Sequence, residues 1–208
     1  MSKNFAFFSG FEISIEVACI ITGLRKSSLY AETKIFFGDS AAHARRNPAL
    51  LYLFMASKFR PGILAPNDTD LRAFCDFIWH ANNGSCDLPN DFKSGSEPLL
   101  ILASLDDLKA IFNRKPSAVR TWIRAGNFPM PLLSKSRPCQ WALEDVLRAK
   151  LARINSTRAF TTEEINAEQF RFLSRKLSLL KAKHTHKRMT TGDKVMQGIL
   201  NAFGRKAL

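Results

Sequence analysis

Residues 104–146 read SLDDLKAIFNRKPSAVRTWIRAGNFPMPLLSKSRPCQWALEDV and carry the strongest structural signal in the sequence. Ser104 followed by Asp106 and Asp107 is typical of a helix start, because the hydroxyl caps free amides and the acids complement the helix dipole. Apolar Leu108, Ile111 and Phe112 continue the helix. It is predicted to stop at Asn113, a residue that tolerates left-handed backbone.

A second helix is predicted to open at Lys115-Pro116 and to end at Gly126, since proline at the first helical position loses no hydrogen bond. Its apolar side carries Val119, Trp122 and Ile123. Its other side carries Ser117, Arg120, Thr121 and Arg124. Arg, Ser and Thr on one exposed face can contact base edges in the major groove of DNA, so we interpret this as a recognition helix. Arg114 and Lys115, before the helix, extend the predicted DNA-binding set.

The segment after this helix predicts a small β-hairpin. Prolines 129 and 131 prevent further helix, and Leu132-Leu133 and Cys139-Gln140-Trp141 are the predicted strands. Lys135, Ser136 and Arg137 lie at the predicted tip. A hairpin directly after a recognition helix is a wing, whose cationic tip would reach the adjacent minor groove or backbone. Leu143 then begins a closing helix.

The stretch from Trp122 to Pro131, with Gln140 to Val146, resembles the AlpA-like and excisionase-like members of the MerR-type winged-helix group. The shared pattern is aromatic-Ile-Arg/Lys-x-Gly-x-Phe-Pro-x-Pro, then Trp before an acidic helix. The resemblance covers about a quarter of the chain and implies a winged helix-turn-helix that binds double-stranded DNA. Lys109 and Asn113 depart from the small residue and the glycine usual in that group.

Charge is distributed unevenly along the 208 residues. Residues 1–108 carry 10 basic and 12 acidic side chains, whereas residues 109–188 carry 18 basic and 5 acidic ones. The whole net charge of +13 therefore comes from the second half of the chain. This distribution is typical of a polyanion binder, because each neutralised phosphate releases counterions.

Residues 82–98 are rich in Gly, Pro, Asn and Ser, which predicts a loop and a domain boundary there. We predict three parts in all: a helical N-terminal domain (1–95), a winged helix-turn-helix domain (98–155) and a basic helical extension (156–208). The predicted class is mainly α. Helices are predicted at 48–59, 69–81 and 161–187, the last with Lys181 and Lys183 facing outward as DNA contacts. From Thr190 the chain is expected to form a short helix or a frayed tail.

Residues 23–35 resemble the Gly-x-Arg-x3-Leu-x2-Glu-Thr-x-Leu stretch of the C subunit of the flagellar master transcriptional activator (FlhC). The resemblance implies a transcription factor acting in a hetero-oligomer with an FlhD-like subunit. The four zinc-binding cysteines of that family are missing here.

Two helix-turn-helix registers remain open in this region. One places helices at 29–35 and 40–46, with Arg45 and Arg46 as DNA contacts. The other places them at 14–21 and 25–30, with Cys19 and Gly23 at the small positions. An all-helical dimerisation or partner-binding domain is a third interpretation.

The sequence offers no support for catalysis, since it has no phosphate-binding loop, HExxH motif or nucleophile elbow. Its four cysteines, at 19, 75, 86 and 139, suggest neither a zinc site nor disulfides. We therefore expect no cofactor or metal, no enzymatic activity, no membrane association and a cytoplasmic location.

Two functions fit these expectations best, and a replication or partition initiator is a third possibility. The first is a transcription regulator, most plausibly an activator encoded by a mobile genetic element, that binds DNA as an oligomer and recruits RNA polymerase. The alternative is an excisionase, a recombination directionality factor that bends DNA at attachment sites. Excisionases are usually little larger than the winged helix, so the extra N-terminal residues favour regulation.

Overall fold

The computed structural model describes residues 11–60, 66–84, 98–132, 139–154 and 159–204, with side chains described as far as His184. It is mainly helical with a small two-stranded sheet, which confirms the predicted class. The elements in chain order are α1 (Ile15–Thr22), α2 (Lys26–Phe37), α3 (Ala41–Ala44), α4 (Pro48–Phe59), α5 (Asp68–Asn83), β1 (Leu102–Ser104), α6 (Leu105–Phe112), α7 (Pro116–Arg124), β2 (Gln140–Ala142), α8 (Leu143–Ile154) and α9 (Thr162–Gly204).

Local capping signals set the N-terminal helices. The Ser14 side chain accepts a hydrogen bond from the Val17 amide at the start of α1, and Gly23 ends that helix in the left-handed region at φ 61°. Helix α4 starts at Pro48, and the prediction of 48–59 is confirmed. Helix α5 starts at Asp68, one residue before the predicted start, because Asn67 and Asp70 form a capping box. It ends at Asn83, two residues beyond the predicted end, where Gly84 takes the left-handed region.

Between α1 and α4 the structure matches one predicted register and corrects the other. The α1 and α2 helices correspond to the register at 14–21 and 25–30, with Gly23 in the turn. In the other register, the predicted first helix at 29–35 ends too early, because α2 continues to Phe37. The predicted helix at 40–46 is also wrong in extent: α3 ends at Ala44, since Asn47 must be extended before Pro48.

The sheet corrects the predicted hairpin. Strand β2 pairs antiparallel with β1, with Ala103 opposite Trp141. The sequence did not predict β1, which belongs to an apolar run with no alternation. The predicted strand partner at 132–133 forms no strand at Leu132, whose amide nevertheless donates to the Gln140 carbonyl at 2.8 Å. Leu133 lies outside the described residues.

In the second half of the chain the predicted helix starts are confirmed, and one predicted helix end is wrong. The Ser104–Asp107 capping box starts α6, Asn113 ends it at φ 49°, and Pro116 starts α7. Helix α8 begins at Leu143 as predicted. The expected end near residue 187 is wrong, because α9 continues to Gly204. The two interior glycines of that segment, Gly192 and Gly198, weaken a helix by about 1 kcal/mol each without forbidding it.

Buried apolar residues from all three predicted parts of the chain belong to one hydrophobic cluster. The rings of Phe77 in α5 and Phe170 in α9 lie 5.2 Å apart, edge to face. The buried Gln140 amide of β2 donates to the Thr22 carbonyl at the end of α1 at 2.8 Å. The α1–α2 unit is thus attached to the sheet that precedes α6.

Candidate nucleic-acid interface

Helix α7 has one buried side and one fully exposed polar side. Val119 is completely buried, and Trp122 and Ile123 are half-buried against the core. The four residues predicted to read DNA are all exposed: Ser117, Arg120, Thr121 and Arg124. The sequence therefore identified correctly which side of this helix faces solvent.

Aromatic contacts hold the buried side of α7. Phe112 packs edge to face on Trp122 with ring centroids 5.8 Å apart, and it contacts Phe128 at 5.3 Å. The Arg153 guanidinium lies 4.0 Å from the Trp122 ring centroid and donates to the Asn127 carbonyl. This cation–π contact brings α8 against the end of α7, so that the exposed side has a fixed support.

The segment following α7 is held to β2. The indole Nε1 of Trp141 donates to the Pro129 carbonyl at 3.0 Å, and Phe128 is buried. The aromatic residues and prolines that carry the family resemblance thus have packing roles. The predicted wing tip, Lys135, Ser136 and Arg137, lies outside the described residues.

Among the exposed residues of α7, the arginines are the strongest candidates for anion contact. In the described part of the chain, neither Arg120 nor Arg124 has an ion-pair partner. Arg114 and Lys115, in the turn before α7, are exposed as well. The Thr121 hydroxyl donates to the Ser117 carbonyl at 3.0 Å, which leaves the hydroxyl oxygen able to accept from a ligand.

A groove of about 1200 Å³ separates α7 from the start of α2. Arg120 and Arg124 line one side, and Arg25, Ser27 and Ser28 line the other. The predicted DNA-contacting residues did not include Arg25 or either serine, although these line the same groove. The register with a helix at 25–30 contained the signal, because it places them at the start of a second helix.

The acidic residues of the groove are paired. Lys109 contacts Asp106 at 2.7 Å, and this hydrogen bond holds the pKa of Asp106 below its usual value. Lys176 of α9 contacts the buried carboxylate of Asp107 at 2.7 Å. These carboxylates are neutralised within the chain, so the arginines dominate the local charge.

The remaining predicted contacts lie elsewhere. The Arg45 guanidinium donates to Thr33 and to the Tyr30 carbonyl and covers the Tyr30 ring, so it connects α3 to α2. Arg46 lies 3.7 Å from Glu12. Lys181 donates to the carbonyl of Asn82, and Lys183 is exposed on α9. None of these four residues lines the groove.

The described residues contain no cluster of three or more His, Cys, Asp or Glu side chains that could hold a metal ion. None of their helices has both the length and the apolar character needed to cross a bilayer.

Comparison with protein-family models, with curated proteins and with solved structures finds no match to this chain. Both resemblances noted in the sequence therefore remain predictions.

Proposed function

We propose that this chain is a non-enzymatic, cytoplasmic DNA-binding protein that regulates transcription and reads its site through α7 in the major groove. The observation that carries the proposal is the exposed side of α7. Two arginines without ion-pair partners in the described residues stand there beside Ser117 and Thr121. Arginine recognises guanine through two parallel hydrogen bonds, and hydroxyl groups contact base edges or phosphates.

The winged helix-turn-helix arrangement belongs to the same proposal. Helices α6 and α7 supply the two helices, and Leu132 bonded to Gln140 marks where a wing would start. The positive charge of residues 109–188 supplies affinity for any DNA sequence. An oligomer, an FlhD-like partner and contact with RNA polymerase are further parts of the regulatory proposal.

The test is selection from a random-sequence double-stranded DNA library by the full chain, followed by sequencing of the bound duplexes. We expect enrichment of one short motif containing guanines, with genomic matches upstream of genes. Retention of all sequences equally would contradict sequence-specific binding. Matches confined to recombination attachment sites would instead favour the excisionase function.

A further inference from the structure

We infer that the groove between α2 and α7 holds a stretch of DNA backbone, with Arg25 contacting a phosphate beside the bases that α7 reads. This inference rests on the proposed function and extends the DNA-binding surface to the N-terminal half of the chain. That half has a net charge of −2 over residues 1–108, so charge counting alone does not indicate it.

The charge balance inside the groove favours a polyanionic ligand. Five basic side chains line it: Arg25, Lys109, Arg120, Arg124 and Lys176. The two lysines are neutralised by Asp106 and Asp107, both at 2.7 Å. In the described residues the three arginines have no ion-pair partner, and they come from two different helices. Such a cationic cleft complements a polyanionic strand.

The turn between α1 and α2 is attached to the half of the chain that contains α7. The Gln140 side chain of β2 donates to the Thr22 carbonyl at 2.8 Å, directly before this turn. Gly23 packs on β1, where a Cβ at its position would lie 3.4 Å from the Leu102 carbonyl oxygen. Arg25 follows two residues later. Its position relative to α7 is therefore fixed by buried contacts in the sheet.

Polar groups at the start of α2 line the groove as well. Ser27 and Ser28 line it together with Arg25, and both can hydrogen-bond a phosphate oxygen. Lys34 lies on the same helix but is absent from the groove lining. It is exposed and contacts Asp39 at 2.8 Å. Lys34 therefore serves as a matched control, because it is a positively charged side chain of α2 that lies outside the groove.

The experiment measures affinity for a fluorescent duplex carrying the selected motif over a range of salt concentrations, using the full chain. Arg25→Ala is expected to weaken binding several-fold and to reduce the slope of log K against log salt by about 0.9, the value for one lost phosphate contact. The same variant should lose hydroxyl-radical protection on one side of the motif. Arg25→Lys should keep the slope, and Lys34→Ala should leave both slope and footprint unchanged.

Different results separate the inference from the proposed function. If Arg25→Ala leaves slope and footprint unchanged while Arg120→Ala abolishes sequence discrimination, the groove inference is wrong and the assignment of α7 stands. An equal loss for Lys34→Ala and Arg25→Ala would overturn the inference too, because net charge alone would then explain the effect. If neither Arg25→Ala nor Arg120→Ala changes binding, the proposed function itself fails.

Discussion

At the residue scale, some arginines of this protein stabilise the packing of helices and others are exposed for contact with a ligand. Arg45 and Arg153 have their guanidinium groups over the rings of Tyr30 and Trp122, where they stabilise packing. Arg120 and Arg124 are exposed on α7 and have no such ring contact among the described residues. A charge count from the sequence does not distinguish these four arginines. Only their surroundings distinguish a structural arginine from a DNA-reading candidate.

A prediction at the residue scale concerns the reactivity of the Cys75 thiol. Burial raises the pKa of this thiol to about 12, with a smaller contribution from the Asp76 carboxylate. Because the thiolate is the reactive form, we expect alkylation of Cys75 by iodoacetamide at neutral pH to be slower in the native protein than in urea by roughly two to three orders of magnitude. Peptide mass mapping at timed intervals measures both rates. Equal rates in the two states would contradict the burial of this thiol.

At the element scale, the α6–α7 pair depends on one left-handed residue. Asn113 ends α6 at φ 49° and ψ 49°, and its amide donates to the Lys109 carbonyl. It stands where the resembling winged-helix group usually has glycine. Asparagine adopts this conformation at lower cost than other residues with a Cβ.

We therefore expect Asn113→Ala to lower the free energy of unfolding by about 1 kcal/mol. Asn113→Gly should stay within a few tenths of a kcal/mol of the natural chain, since glycine adopts left-handed backbone without steric penalty. Urea denaturation followed by circular dichroism measures both variants. An alanine variant as stable as the glycine variant would show that α6 does not end in this way.

Elements were predictable from sequence where their determinants are local. The Ser104 cap, the Pro116 start and the Gly23 turn each involve residues within one helical turn of one another. A strand was predicted at 139–141, close to β2, but β1 and its pairing with β2 were missed because the two strands come together from distant parts of the chain. Leu102 and Ala103 are both buried and Ser104 is half-buried, so this short stretch carries no period-two signal.

At the scale of the whole molecule, the near-neutral N-terminal half and the basic half meet across buried contacts. Helix α5 packs on α9 through Phe77 and Phe170, and Gln140 joins the sheet to α1. No local pattern indicates these contacts, which depend on the three-dimensional arrangement of elements. The groove that adds Arg25 to the candidate site forms only through them. Sequence could therefore identify α7, but it could not place α2 beside it.

The most direct test of the central claim compares the affinity of the selected motif with that of a scrambled duplex. The natural chain, Arg120→Ala, Arg124→Ala and the control Arg171→Ala would be measured at fixed salt by fluorescence anisotropy. Arg171 is exposed on α9, where it contacts Glu168, so its loss removes the same charge away from α7.

We predict that Arg120→Ala and Arg124→Ala each reduce the preference for the motif by roughly 1–3 kcal/mol, the range for a lost bidentate base contact. Arg171→Ala should keep the preference intact. An unchanged preference in both α7 variants would contradict the assignment of α7 as the recognition helix.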